Sequence, residues 1–141
     1  MSAAPVLLDT GPWVALLCRG DSFHAWACAQ FGRITGPVLT CEAVVAETCF
    51  LLARAGHDPA KALALVQRGV VRIGLSLADE IGAVQALFER YDNVPASLAD
   101  ACLVRMSELH DRSRVLTLDS DFRIYRRHGR RVIPLIAPPA P

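Results

Sequence analysis

Five short β-rich runs punctuate the chain: Val6-Leu7-Leu8, Pro37-Val38-Leu39, Val70-Val71-Arg72-Ile73, Arg114-Val115-Leu116-Thr117-Leu118 and Val132-Ile133-Pro134-Leu135-Ile136. Between them lie stretches whose apolar residues recur at spacings of three and four: Ser22 to Gln30, Cys41 to Ala55, Ala60 to Arg68, Leu77 to Tyr91 and Leu98 to His110. That period belongs to amphipathic helices, and Asp58-Pro59 supplies an N-cap followed by proline at the first helical position. The strands are too apolar to have a wet face. Strands of that kind alternating with helices predict an α/β fold, a three-layer sandwich with a central parallel sheet of about five strands and helices on both faces. A chain of 141 residues suits one domain, which buries about two-thirds of its unfolded surface without disulfides or a structural metal. We place that domain at residues 1–136 and a flexible Pro-rich tail at 137–141, where prolines withhold the N–H groups that a further strand needs.

Composition narrows the function classes. No apolar run approaches the ~20 residues needed to cross a bilayer, and Met1 to Pro5 lacks the positive start of a secretory signal. The expected location is therefore cytoplasmic. Cys18, Cys28, Cys41, Cys49 and Cys102 form no C-x-x-C pair and sit mostly among apolar neighbours, as reduced core thiols do. The formal net charge of +1 carries no information about partners. Its distribution does: Arg123, Arg126, Arg127, Arg130 and Arg131 follow one another with no acid among them. They suit phosphate contact, and they equally suit a solvated face.

Chemistry is sought beyond the carboxyl ends of the strands, where ligands bind in such folds. Asp9 directly follows the first strand, where it serves equally as an N-cap for the helix containing Val14 to Leu17. Asp119 repeats the arrangement after Val115 to Leu118, with Asp121 two residues on. Two strand ends delivering carboxylates to one sheet edge crowd like charges unless a cation lies between them. Glu47 has Ala43, Val44, Phe50 and Leu51 at helical spacing, which places it on the flank of an apolar stripe and asks for a partner. Glu42, in the first turn after Thr40, reads as a favourable helix-dipole charge. The tetrapeptide Ser-Leu-Ala-Asp occurs twice, ending at Asp79 and at Asp100, each time with the pattern of a capping box. Local sequence does not separate the two aspartates.

Four stretches in order, Leu8-Asp9-Thr10-Gly11-Pro12-Trp13, Val45-Ala46-Glu47-Thr48-Cys49-Phe50, Ser97-Leu98-Ala99-Asp100-Ala101 and Leu116-Thr117-Leu118-Asp119-Ser120-Asp121-Phe122, resemble the PIN-domain nucleases. The resemblance is nearest to the VapC-like toxins of type II toxin-antitoxin systems. It implies an acidic quartet of Asp9, Glu47, Asp100 and Asp119 with Asp121 as an auxiliary, and it selects Asp100 over Asp79. It further implies a Mg(2+)-dependent endoribonuclease, with Mn(2+) as a substitute, that leaves a 5'-phosphate and a 3'-hydroxyl. The cognate antitoxin protein and a homodimer are implied in the same way. An acidic set whose donors are all oxygen suits such hard cations and disfavours zinc.

Asp9 and Asp100 are the expected direct ligands, Glu47 and Asp119 ligands direct or through water, and Asp121 a member of the outer shell. Thr10 and Thr117 are the supporting hydroxyls, Ser120 a weaker one, and Arg123, Arg126 and Arg127 the candidate RNA contacts. His24 reads as structural, and Trp13, Trp26 and Phe31 read as core. Two other readings keep the fold: a PIN nuclease of RNA maturation, and a non-catalytic scaffold. A haloacid-dehalogenase-like phosphotransferase fits poorly, because position 11 is glycine where a second aspartate is needed and Lys61 is the only lysine.

Overall fold

The structure, a computed structural model, describes residues 3–94 and 96–139. Its central sheet has five strands, all parallel: β1 (Val6–Leu8), β2 (Val38–Thr40), β3 (Arg72–Ile73), β4 (Arg114–Leu116) and, last in the chain, β7 (Leu135–Ile136), in the order β3-β2-β1-β4-β7. All three residues of β1 are buried, so both faces of the sheet are covered, as its unbroken apolar sequence requires. The cover comes from six helices: α1 (Thr10–Leu17), α2 (His24–Arg33), α3 (Glu42–Arg54), α4 (Ala60–Gln67), α5 (Leu77–Arg90) and α6 (Leu98–Leu109). α1 packs on α2 and α3, α5 packs on α6, and α6 lies against β1 and β4. None of the described helices is long and apolar enough to cross a membrane.

The strand order fixes where a site belongs. From β1 the chain steps outward through β2 to β3, then returns through α5 and α6 to place β4 on the opposite side of β1. That reversal opens a crevice between the carboxyl ends of β1 and β4. Asp9 directly follows β1, and Asp119 lies three residues beyond β4.

The expected final strand, 132–136, is divided. Pro134 has no N–H for the ladder, although its carbonyl still accepts from the Val115 amide at 2.9 Å. Only Leu135–Ile136 joins the sheet. Residues upstream form an antiparallel ribbon of β5 (Arg126–Arg127) and β6 (Arg131–Val132), closed through His128 at φ 51° and Gly129 at φ 84°. Other differences are small. Cys41 rather than Thr40 precedes α3, because the Thr40 hydroxyl donates instead to the Leu8 carbonyl at 2.8 Å. Asp58 accepts from the Ala60 amide at 2.9 Å, starting α4 one residue later than expected. Cys18, Cys41 and Cys102 are buried and Cys49 half-buried, but Cys28 is exposed and does not belong to the core; all five are free thiols. Of the expected tail, the Pro138 carbonyl accepts from Arg123 Nη2 at 3.2 Å, and residues 140–141 lie outside the described residues.

Candidate active site

Asp9 both caps α1 and faces the crevice. Its Oδ1 accepts from the Thr10 amide at 2.8 Å, and its Oδ2 accepts from the hydroxyl of Thr117 at 2.7 Å. Thr117 is fully buried one residue beyond β4, and its Oγ1 in turn accepts from the Asp119 amide at 2.9 Å. One threonine therefore ties the two strand-end aspartates together. Asp119 then caps a 3-10 turn, Ser120–Arg123, by accepting from the Asp121 amide at 2.9 Å. Across the cleft the Thr10 hydroxyl donates to Glu47 Oε2 at 2.9 Å, linking α1 to α3. Asp100 arrives from the first turn of α6 in a reciprocal capping box: its Oδ2 accepts from the Ser97 amide at 3.0 Å while Ser97 Oγ accepts from the Asp100 amide at 3.1 Å. Asp9, Glu47, Asp100 and Asp119 line one cleft of about 560 Å³. Gly11 lets α1 close over the cleft floor, since a Cβ there meets Leu118 at 3.2 Å.

The electrostatics of this cleft are uncompensated. Asp9 is only 6% exposed. Burial, its largest influence, pushes its carboxyl up to about 6 against the hydrogen bonds from Thr117 and Thr10, and the charges of Asp100 and Asp119 push the same way. Burial likewise raises Asp100, opposed by its Ser97 bonds and assisted by the Asp119 charge. The ion pairs among the described residues join Arg105 to Glu80 and Glu108, and His128 to Asp111, so none neutralises the cleft. A cavity lined by oxygen donors with no cationic side chain has the chemistry of a hard-cation site. Among the described residues no three Asp, Glu, His or Cys side chains stand close enough to clasp one ion by themselves. The oxygen chemistry of the lining suits an ion such as magnesium, which takes one or two carboxylates and keeps several waters.

A model of the PIN domain family matches residues 6–127. The chain belongs to the PIN domain family. Among solved structures it is similar to VapC20 of Mycobacterium tuberculosis, described as a sarcin-ricin loop cleaving toxin. The likeness is 29% sequence identity at a TM-score of 0.73, covering 82% of this chain and 91% of that one. No curated protein sequence matches it.

Within this PIN domain the structure distributes the sequence-predicted residues unevenly. Asp9, Glu47, Asp100, Asp119 and Thr10 share the cleft, and Thr117 supports it from beneath. Asp121 is half-buried and is not part of the lining. Asp79 is exposed, and its only bond of the capping pattern is its amide to Ser76 Oγ at 3.3 Å. Glu47 does not flank a buried stripe as its apolar neighbours predict: it is exposed, and Phe50 and Leu51 are 60% and 40% exposed at the cleft rim. The buried stripe of α3 is Val44, Thr48 and Leu52.

The three arginines also separate. Arg123 and Ser120 border a smaller cavity beside Asp119. Arg126 Nη1 caps the carbonyls of Arg123, Ile124 and Tyr125, and Arg127 Nη1 bonds the Ser107 and Asp111 carbonyls at the far end of α6 from Asp100. His24 Nδ1 bonds the Ala15 carbonyl at 2.8 Å, a structural role. Trp13 is fully buried, with Trp26 and Phe31 packed against the core.

Sequence reasoning missed Tyr125. It is fully buried, and its hydroxyl donates to Asp100 Oδ2 at 3.2 Å. The only trace in the sequence is an aromatic pair, Phe122 and Tyr125, three apart just after the fourth motif.

Proposed function

We propose that this PIN domain is a divalent-metal-dependent endoribonuclease, the toxin of a toxin-antitoxin pair acting in the cytoplasm. The observation that carries the reading is the buried Asp9, held with Asp100 and Asp119 in a cleft that contains no cationic side chain. Asp9 and Asp100 would hold a Mg(2+) or Mn(2+) ion directly, Glu47 and Asp119 directly or through water, with Asp121 in the outer shell. What the ion supplies when bound is neutralisation of the scissile phosphate and acidification of a water for in-line attack. The chain's own residues set the geometry. Thr117 fixes Asp9 relative to Asp119, and Thr10 fixes Glu47 relative to α1. Asp9 and Asp119 are each also clamped by a backbone amide, so neither carboxylate swings freely. Of the three candidate RNA contacts, Arg123 is the best placed, because it borders the cavity adjoining Asp119. Products with a 5'-phosphate and a 3'-hydroxyl are what the resemblance to the PIN-domain nucleases implies.

The partners in this reading are RNA, a cognate antitoxin protein that covers the cleft, and a second copy of the chain. The homodimer is what the family resemblance implies, and an apolar groove bearing the exposed Ile81, Phe88 and Leu98 is a surface for it to bury; light scattering at twice the chain mass checks it. The similarity to VapC20 makes a hairpin RNA carrying a sarcin-ricin loop the first substrate to try, beside unstructured RNA. Purified protein is expected to cleave in Mg(2+) or Mn(2+) and to stop when a chelator is added. Cleavage that survives both chelation and the substitutions Asp9→Asn and Asp100→Asn sinks the proposal.

A further inference from the structure

We infer that Tyr125 is a positioning residue for the metal carboxylate Asp100, reaching it from the loop that carries Asp119 and so setting the two aspartates against each other. This rests on the metal-site reading above and adds to it a residue outside the acidic set. The Tyr125 hydroxyl donates to Asp100 Oδ2 at 3.2 Å, on the oxygen that also accepts from the Ser97 amide. Both bonds to the Asp100 carboxylate among the described residues thus fall on Oδ2, and neither engages Oδ1.

The tyrosine cannot easily move. It is fully buried, and its ring packs edge-on against Tyr91 at 5.0 Å and Phe122 at 5.1 Å between centroids. Its amide donates to the Asp121 carbonyl at 3.1 Å, which fastens it to the 3-10 turn that Asp119 caps. The next amide, of Arg126, donates to the Tyr91 hydroxyl at 2.8 Å, so the backbone is pinned on both sides. A rigid chain of contacts therefore runs from Asp119 through the turn and the Tyr125 side chain to Asp100. A neutral donor is suited to this place: it holds a carboxylate beside a like charge without neutralising it, as a cationic side chain would. Outer partners that orient ligands in this way typically change metal affinity by about 10- to 100-fold when removed.

Tyr125→Phe keeps the ring and deletes the donor. Mn(2+) binding to the RNA-free protein, read by the loss of the free-ion EPR signal, is expected to weaken by about 10-fold in Tyr125→Phe. The Mg(2+) concentration for half-maximal cleavage should rise in parallel, and kcat at saturating metal should recover most of its value. A role in packing alone would lower thermal stability and leave metal affinity unchanged, and that result overturns the inference.

A second measurement avoids any folding defect. The chain has 2 tyrosines, so 3-fluorotyrosine labelling gives two 19F signals, assigned with Tyr91→Phe. Titration with Mg(2+) is expected to shift the Tyr125 signal more than that of Tyr91. No movement of the Tyr125 signal at saturating Mg(2+) overturns the inference even if Tyr125→Phe does not fold. Wild-type protein that binds no Mn(2+) at all refutes the metal reading itself and this inference with it. Wild-type binding matched by equal binding in Tyr125→Phe refutes only the role of Tyr125.

Discussion

Asp9→Asn is expected to abolish RNA cleavage and, in the same molecule, to stabilise the metal-free fold at neutral pH. The loss follows from the proposed chemistry. A metal ion contributes several kcal/mol of charge stabilisation to the transition state, and at 1.36 kcal/mol per decade its mis-ligation lowers kcat by about 1,000-fold. The stabilisation follows from burial. Desolvation holds the Asp9 carboxyl at about 6 instead of 3.8, so between those pH values the folded protein binds a proton that the unfolded chain has released. Stability therefore falls as pH rises through that window, and above it the folded state carries the full penalty of a buried charge. The shift from 3.8 to about 6 corresponds to about 3 kcal/mol.

Asparagine removes the charge and keeps an oxygen for one of the two donors, Thr10 N–H or Thr117 O–H, so the net gain is about 1–2 kcal/mol. Thermal melts in chelator are expected to show the wild type more stable at pH 5 than at pH 7.5, with a smaller difference in Asp9→Asn, where Asp100 is the remaining raised carboxyl. Mg(2+) at pH 7.5 should raise the wild-type melting temperature and leave that of Asp9→Asn unchanged. A wild type whose metal-free stability rises from pH 5 to pH 7.5 would contradict the burial argument.

The parts of this PIN domain that could be read from sequence are those governed by local pattern. β1 and β4 stand out because each is a short apolar run ending in an acid, and a parallel sheet brings such ends to one edge. Asp9 and Asp119 were therefore legible as a pair before any contact was known. Val132 to Ile136 was misread, because one apolar run was divided by Pro134 and by a ribbon whose turn depends on the positive φ of His128 and Gly129. Glu47 was selected for the wrong reason. Helical spacing shows which residues neighbour it, but not that Phe50 and Leu51 face outward at the rim. Tyr125 was out of reach for a different reason: its partner Asp100 is 25 positions away, and no periodicity encodes a tertiary hydrogen bond.

The repeated tetrapeptide provides the sharper trial of what tertiary placement adds. Asp100→Asn is expected to lower cleavage by about 1,000-fold, as its proposed role as a direct ligand implies, whereas Asp79→Asn should leave it within about twofold of wild type. Both aspartates follow Ser-Leu-Ala and both start helices, so the difference lies in their surroundings. α6 points its first turn into the crevice between β1 and β4, where Asp100 meets the charge of Asp119 and the hydroxyl of Tyr125. Asp79 begins α5 at the surface, and the reciprocal bond of a capping box is formed at Asp100 and not at Asp79.

Stability should separate the pair in the same experiment. Asp79→Asn forfeits only a favourable charge in the first turn of α5, about 0.3–1 kcal/mol. Asp100→Asn keeps an oxygen for the Ser97 amide but relieves a half-buried carboxylate of its charge, so its fold should persist while its chemistry is lost. Circular dichroism and melting curves on both variants establish that the comparison is between folded proteins. Equal loss of cleavage in the two would mean that tertiary placement does not single out the α6 copy of the tetrapeptide.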